Sequence, residues 1–126
     1  MKKKQWVWWA VGSIVVIGGL VTFLVLQARK PGKYDALAQC IAASGTKMYG
    51  AFWCPHCQAT KAMFGKSAKY LPYIECSEPS GNGQLPVCND AGIQGYPTWR
   101  FPDGTQLTGE QTLQTLADRT NCTLPQ

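Results

Sequence analysis

Cys54 and Cys57, separated by Pro55 and His56, are the residues whose type and spacing most directly suggest chemistry. Two thiols three positions apart either share a metal ion or interconvert between dithiol and disulfide. A tetrahedral zinc site takes four ligands, commonly two such pairs, and this chain has one His and no second Cys-x-x-Cys. The redox alternative is the stronger, with Cys54 as nucleophile and Cys57 as its partner.

The flanking residues indicate how the pair is held. Lys47 to Trp53 is a short apolar and aromatic run that reads as a buried strand. Pro55 to Phe64 is composed mostly of helix formers, and Gly65 follows as a stop. Cys54 then falls at the N-cap and Pro55 at the first helical position, where its fixed φ fits and its missing N–H is not needed. A sulfur at an N-cap faces unpaired N–H groups and the positive end of the helix dipole, which favours thiolate. Cys57 lies within the first turn and is shielded by it. His56 can donate a hydrogen bond or carry positive charge beside the Cys54 sulfur, stabilising the thiolate and so the reduced form. A stabilised reduced form makes the disulfide a stronger oxidant.

Trp53-Cys54-Pro55-His56-Cys57 together with Gly95-Tyr96-Pro97-Thr98-Trp99 resembles the thioredoxin superfamily. The run Thr46 to Cys57, then Met63-Phe64-Gly65, Tyr73-Ile74-Glu75-Cys76 and Ala91-Gly92-Ile93, is similar to the thioredoxin-like domain fused to vitamin K epoxide reductase (VKOR) homologues. The Cys-Pro-His-Cys centre is also that of DsbA-type oxidases. The resemblance covers roughly Asp35 to Thr120 and implies a thioredoxin fold and protein thiol-disulfide exchange. It also implies a cis Tyr96–Pro97 bond facing the dithiol, where the Tyr96 backbone can pair with an extended substrate strand and hold its cysteine near Cys54. Two departures stand out. The fused proteins carry a transmembrane bundle with a quinone site, whereas this chain has one hydrophobic span, so any quinone belongs to a separate protein. Thioredoxin's buried acid, six residues before its first active-site Cys, corresponds here to Met48, which puts a proton relay to Cys57 in doubt.

The net charge of +5 would ordinarily suggest anionic partners. Its distribution removes that suggestion: six of the twelve Lys and Arg lie in residues 1–33, leaving six against all seven acids in 34–126. Nothing argues for nucleic acid. After Lys2-Lys3-Lys4, an uninterrupted apolar stretch runs from Trp6 to Leu26. As a helix it spans about 31 Å, matching a hydrocarbon core of about 30 Å. It is too long for a typical signal-peptide core and lacks a small-x-small cleavage site, so it reads as an uncleaved anchor. The expected organisation is a cytoplasmic N-terminus (1–5), an anchor helix (6–27), a linker (28–34) and a soluble domain (35–126). Lys2 to Lys4 favour a cytoplasmic N-terminus, but Arg29, Lys30 and Lys33 flank the other side almost as strongly. Six cysteines in the soluble part, without metal spacing, indicate an oxidising compartment and place that part outside the cytoplasm.

Within the soluble part, Asp35 is expected to cap a helix running to Ser44. Tyr70 to Cys76 reads as a second strand, followed by a polar loop from Ser77 to Pro86 and a helical turn over Val87 to Ala91. Thr98 to Phe101 alternates as a strand, Asp103-Gly104 signals a hairpin, and Glu110 to Arg119 reads as a closing helix with Glu110 in its first turn. The fold class is α/β: a thioredoxin-like mixed sheet flanked by helices and preceded by a transmembrane helix. Cys76 and Cys88 bracket the polar loop, either as a structural staple or as a second redox pair relaying electrons to Cys54. Cys40 and Cys122 remain, by elimination tying the first soluble helix to the C-terminal tail, although six cysteines allow 15 pairings among which the sequence does not choose.

The resulting expectation is a membrane-anchored protein thiol-disulfide oxidase acting on cysteine-containing extracytoplasmic proteins, without a bound cofactor or metal. The resemblance suggests reoxidation by a separate VKOR-like membrane protein. Two other readings stay open: a reductase or isomerase of the same fold, and a metal-binding or structural module.

Overall fold

The computed structural model describes residues 2–126. They form two compact units, one ending at Lys30 and the other running from Pro31 to Gln126. The first is a single helix, α1 (Lys2–Ala28). Its segment Lys3–Ala28 is long and apolar enough to cross a membrane, with a mean hydropathy of 2.4 over its most apolar 18 residues. The two hydroxyls within it turn back onto the helix. Ser13 Oγ donates to the Trp9 carbonyl at 2.9 Å, and Thr22 Oγ1 to the Gly18 carbonyl at 2.8 Å. Neither needs water, as a lipid environment demands.

The second unit has the α/β architecture expected from the sequence. Its elements are α2 (Asp35–Ala43), β1 (Lys47–Gly50), α3 (Pro55–Phe64), a 3₁₀ helix (Gly65–Tyr70), β2 (Tyr73–Glu75), α4 (Pro86–Asp90), β3 (Thr98–Arg100), β4 (Gln106–Thr108) and α5 (Leu113–Thr120). The strands form one sheet in the order β2-β1-β3-β4. β1 runs parallel to β2, and α3 provides the crossover that a parallel pair requires. β1–β3 and β3–β4 are antiparallel. The last two strands are joined through Asp103-Gly104: Asp103 Oδ1 accepts from the Thr105 N–H at 2.9 Å, and Gly104 takes φ +85°, open to glycine at no steric cost.

Trp99, Phe64, Leu37, Ile41, Met48 and Leu116 are fully buried at the centre. Met48 lies on the central strand, in register with Tyr73 on one side and Trp99 on the other. The position that resembles thioredoxin's buried acid is thus a hydrophobic core residue. Cys40 of α2 and Cys122 beyond α5 are disulfide-bonded, with Cα atoms 6.0 Å apart, and Cys76 and Cys88 are bonded with Cα atoms 5.6 Å apart. Cys76 and Cys88 are both fully buried, so a solvent thiol reaches neither sulfur while the fold is intact.

Several element ends differ from the sequence expectation. β1 stops at Gly50 rather than Trp53, because the chain must bend to bring Cys54 to the head of α3. β2 begins at Tyr73 rather than Tyr70, since Gly65–Tyr70 closes as a 3₁₀ helix. Asp35 is not the N-cap of α2; Tyr34 holds that position, and the Asp35 carboxylate reaches back to accept the Gly32 N–H at 3.0 Å. α5 begins at Leu113, capped by Thr112, whose hydroxyl accepts from the Thr115 N–H at 3.0 Å. That cap leaves Glu110 outside the helix.

Candidate active site

At the C-terminal end of β1 the Cys54 N–H donates to the Ala51 carbonyl at 3.0 Å, and Pro55 opens α3 at its first position. This turn places Cys54 at the N-cap with extended backbone angles, φ −76° and ψ 118°. The sulfur makes no capping hydrogen bond to the helix. Its thiol donates instead to the Tyr96 carbonyl oxygen at 3.7 Å. Tyr96–Pro97 is a cis bond, and Pro97 is buried. The structure therefore brings Cys54, Cys57, Tyr96 and Pro97 to one place. Both thiols are unbonded, Cys54 with 5% of its surface exposed and Cys57 with 1%.

His56 is paired with Glu110. Its Nδ1 lies 2.6 Å from Glu110 Oε1, and both side chains are largely exposed. Among the described residues no hydrogen bond joins His56 to Cys54. Glu110 went unrecognised as a site residue because it lies 54 residues away and reads as an ordinary first-turn acid.

Phe52 and Trp53, just before Cys54, are half exposed. Trp53 Nε1 donates to Ser77 Oγ at 2.8 Å, and its ring meets that of Tyr96 edge-on, with centroids 6.0 Å apart. The Tyr96 hydroxyl donates to Gln84 Oε1. Gln84 Nε2 in turn donates to Asn89 Oδ1 at 2.7 Å and to the Ile93 carbonyl at 3.0 Å. The polar loop of residues 77–86, expected only as a connection, thus braces two aromatic side chains beside the dithiol, and the Cys76–Cys88 disulfide ties its ends.

Burial, and then the neighbouring Cys54 sulfur, push the Cys57 thiol up to about 12, against the Ala51 backbone and the positive charge of Lys61, which pull it down. The Tyr73 hydroxyl is also raised well above the usual phenol range, first by burial and then by its hydrogen bond to Glu75. That bond runs from Tyr73 Oη to Glu75 Oε2 at 2.9 Å. The other carboxylate oxygen accepts the Phe52 N–H at 3.2 Å and the Ser77 N–H at 2.9 Å. Glu75 therefore links the active-site turn, β2 and the loop. Tyr96 is raised as well, by burial first and then by the charges of Glu75, Cys57 and Cys54. Glu75 and Tyr73 lie in a motif that carries the family resemblance, yet no role followed from that. Lys61, four residues after Cys57, could have been found from helix spacing alone.

Chemically, the arrangement offers a recessed sulfur pair, a backbone carbonyl beside the first sulfur and a half-exposed aromatic rim. No protein-family model matches the chain. The thiol-disulfide oxidoreductase LTO1 of Arabidopsis thaliana is 46% identical to it over 95 residues, covering 72% of this chain and 25% of that protein. The chain thus spans about a quarter of the length of this relative.

Proposed function

We propose that the chain is a membrane-anchored protein thiol-disulfide oxidoreductase, working as an oxidase of cysteine-containing proteins outside the cytoplasm. The observation that carries this reading is the pairing of two unbonded cysteines at the head of α3, facing Tyr96–Pro97, in a unit whose other four cysteines are bonded to one another. Residues 1–5 remain cytoplasmic, residues 6–27 of α1 span the bilayer, and the second unit works on the far side, where its two structural disulfides persist.

The reaction begins from the Cys54–Cys57 disulfide. A substrate thiolate attacks the Cys54 sulfur, a substrate–Cys54 bond forms, and the electron pair of the broken bond leaves on Cys57, which then takes a proton. A second substrate thiolate attacks the substrate sulfur of the mixed disulfide and expels Cys54. The substrate gains one disulfide; the Cys54/Cys57 pair gains two electrons and two protons. The reading assigns their removal to a separate VKOR-like membrane protein that supplies the quinone. That assignment rests on the fusion seen in the resembling family.

Replacing Cys57 by Ser blocks the internal escape from the mixed disulfide. The expected result in a native membrane is a set of covalent adducts at Cys54 that includes substrates and one polytopic oxidase. Adducts with substrates alone would remove the partner assignment, and the absence of any adduct would remove the exchange reading itself.

A further inference from the structure

Whichever way electrons flow, negative charge appears transiently on Cys57. At 1% exposure its sulfur cannot be solvated by water, and an isolated buried charge is costly unless paired. The position where thioredoxin keeps an acid is the apolar Met48, so the partner must be sought elsewhere.

Three side chains converge on Cys57. Lys61 lies one helical turn further along α3, on the same face. Its Nζ sits 3.4 Å from the centroid of the Tyr73 ring. That ring and the Cys57 sulfur crowd the same point above Gly50: a Cβ there would lie 2.7 Å from Tyr73 Cε2 and 2.8 Å from Cys57 Sγ. The ring is fixed in turn by the Tyr73–Glu75 hydrogen bond, and Glu75 by the Phe52 and Ser77 N–H groups. The cation is therefore held on a braced aromatic surface that abuts the buried sulfur.

We propose that Lys61 is the charge partner of the Cys57 thiolate, with Tyr73 and Glu75 as the positioning residues that hold it there. The inference rests on the exchange reading above. When a substrate thiolate attacks Cys54, the negative charge moves from the substrate sulfur to Cys57, where the ammonium meets it before solvent supplies the proton. When Cys57 instead attacks Cys54 in a mixed disulfide, the same ammonium stabilises the attacking thiolate. The other titratable groups around Cys57 are Cys54 and His56 near the head of α3, Tyr73 and Glu75 on β2, and Tyr96 before Pro97; none of them supplies a second fixed cation.

Stopped-flow reaction of the reduced full chain in detergent with excess aromatic disulfide reagent separates the two thiols. A first equivalent of coloured thiol reports attack by Cys54, and a second reports resolution by Cys57. Lys61→Met, which keeps the length of the stem, is expected to leave the first phase within about twofold of wild type. It is expected to slow the second by roughly three- to tenfold at neutral pH: one pKa unit removes about tenfold of thiolate, partly offset by the greater nucleophilicity of a more basic sulfur. Lys61→Arg restores the second phase, and Tyr73→Leu slows it as Lys61→Met does. Wild-type resolution in Lys61→Met, or an Arg variant as slow as the Met variant, would overturn the proposal while leaving the exchange reading intact. A wild-type chain that releases no second equivalent would overturn both.

Discussion

Nδ1 of His56 lies 2.6 Å from Oε1 of Glu110, so the turn between the two reactive cysteines is tied to the segment leading into α5. Both side chains are largely exposed, and such a pair is worth about 0–1 kcal/mol. Glu110→Gln is accordingly expected to lower the thermal midpoint by only a few degrees. His56→Ala removes the one imidazole of the chain, which is paired with Glu110 and, among the described residues, not hydrogen-bonded to Cys54. The reduction potential against glutathione is accordingly expected to change by less than about 30 mV, equivalent to about 1.4 kcal/mol. A larger loss of oxidising power would show that the imidazole acts on the dithiol despite its pairing with Glu110.

Gly50 has no room for a side chain, because the Tyr73 ring and the Cys57 sulfur fill the space where a Cβ would go. Gly50→Ala is expected to cost about 1–3 kcal/mol, as overpacking of a core does, and to displace Cys57. Thermal denaturation of the reduced and oxidised forms checks this, with both forms losing stability. A variant as stable as wild type would mean that the sulfur and ring shift aside freely.

The raised Cys57 thiol gives the reduced form a pH signature of its own. Unfolding returns that thiol to its ordinary value of 9.0, whereas in the fold it holds its proton up to about 12. Between those values the unfolded chain has lost a proton that the folded chain retains, so stability falls as pH rises. The contribution is fully present below about 9 and is lost as pH climbs toward about 12. The oxidised form has no such proton. Denaturant unfolding of both forms is expected to show the stability of the reduced form, relative to the oxidised, declining through this window, and parallel curves would contradict the burial of Cys57.

The two bonded pairs differ in how much chain they close. Cys40–Cys122 spans a sequence separation of 82 and Cys76–Cys88 one of 12. On chain entropy these are worth about 4.5 and about 3 kcal/mol respectively. Cys40→Ala with Cys122→Ala is expected to destabilise the soluble unit more while leaving thiol exchange intact. Cys76→Ala with Cys88→Ala destabilises it less but slows exchange with protein substrates, since the loop it ties holds Trp53 through Ser77 and Tyr96 through Gln84. Equal loss of exchange in both double variants would remove the loop's role at the site.

What could be read along the chain was mostly local. The helix after Cys54, the Asp103-Gly104 turn and the alternating strand at Thr98 each announce themselves through residue type and spacing, and they yield the α/β class and the position of the dithiol. The start of α5 was misplaced because Glu110 reads as a good first-turn acid, whereas the Thr112 hydroxyl ends the competition by capping from three residues before Thr115. The partners of the site residues were not legible, because they arise from tertiary contact. Glu110 reaches His56, Glu75 reaches the Phe52 N–H, and Ser77 reaches Trp53 across separations that no periodicity records. Lys61 is the exception, being close to Cys57 along the helix, although its seat on the Tyr73 ring is again a tertiary contact.

The reduction potential of Cys54–Cys57, measured in the full chain against glutathione buffers, tests the central claim most directly. An oxidase is expected to equilibrate near the value of strong protein oxidants, about −120 mV. A value near that of thioredoxin, about −270 mV, would contradict the account and assign the dithiol to reduction instead.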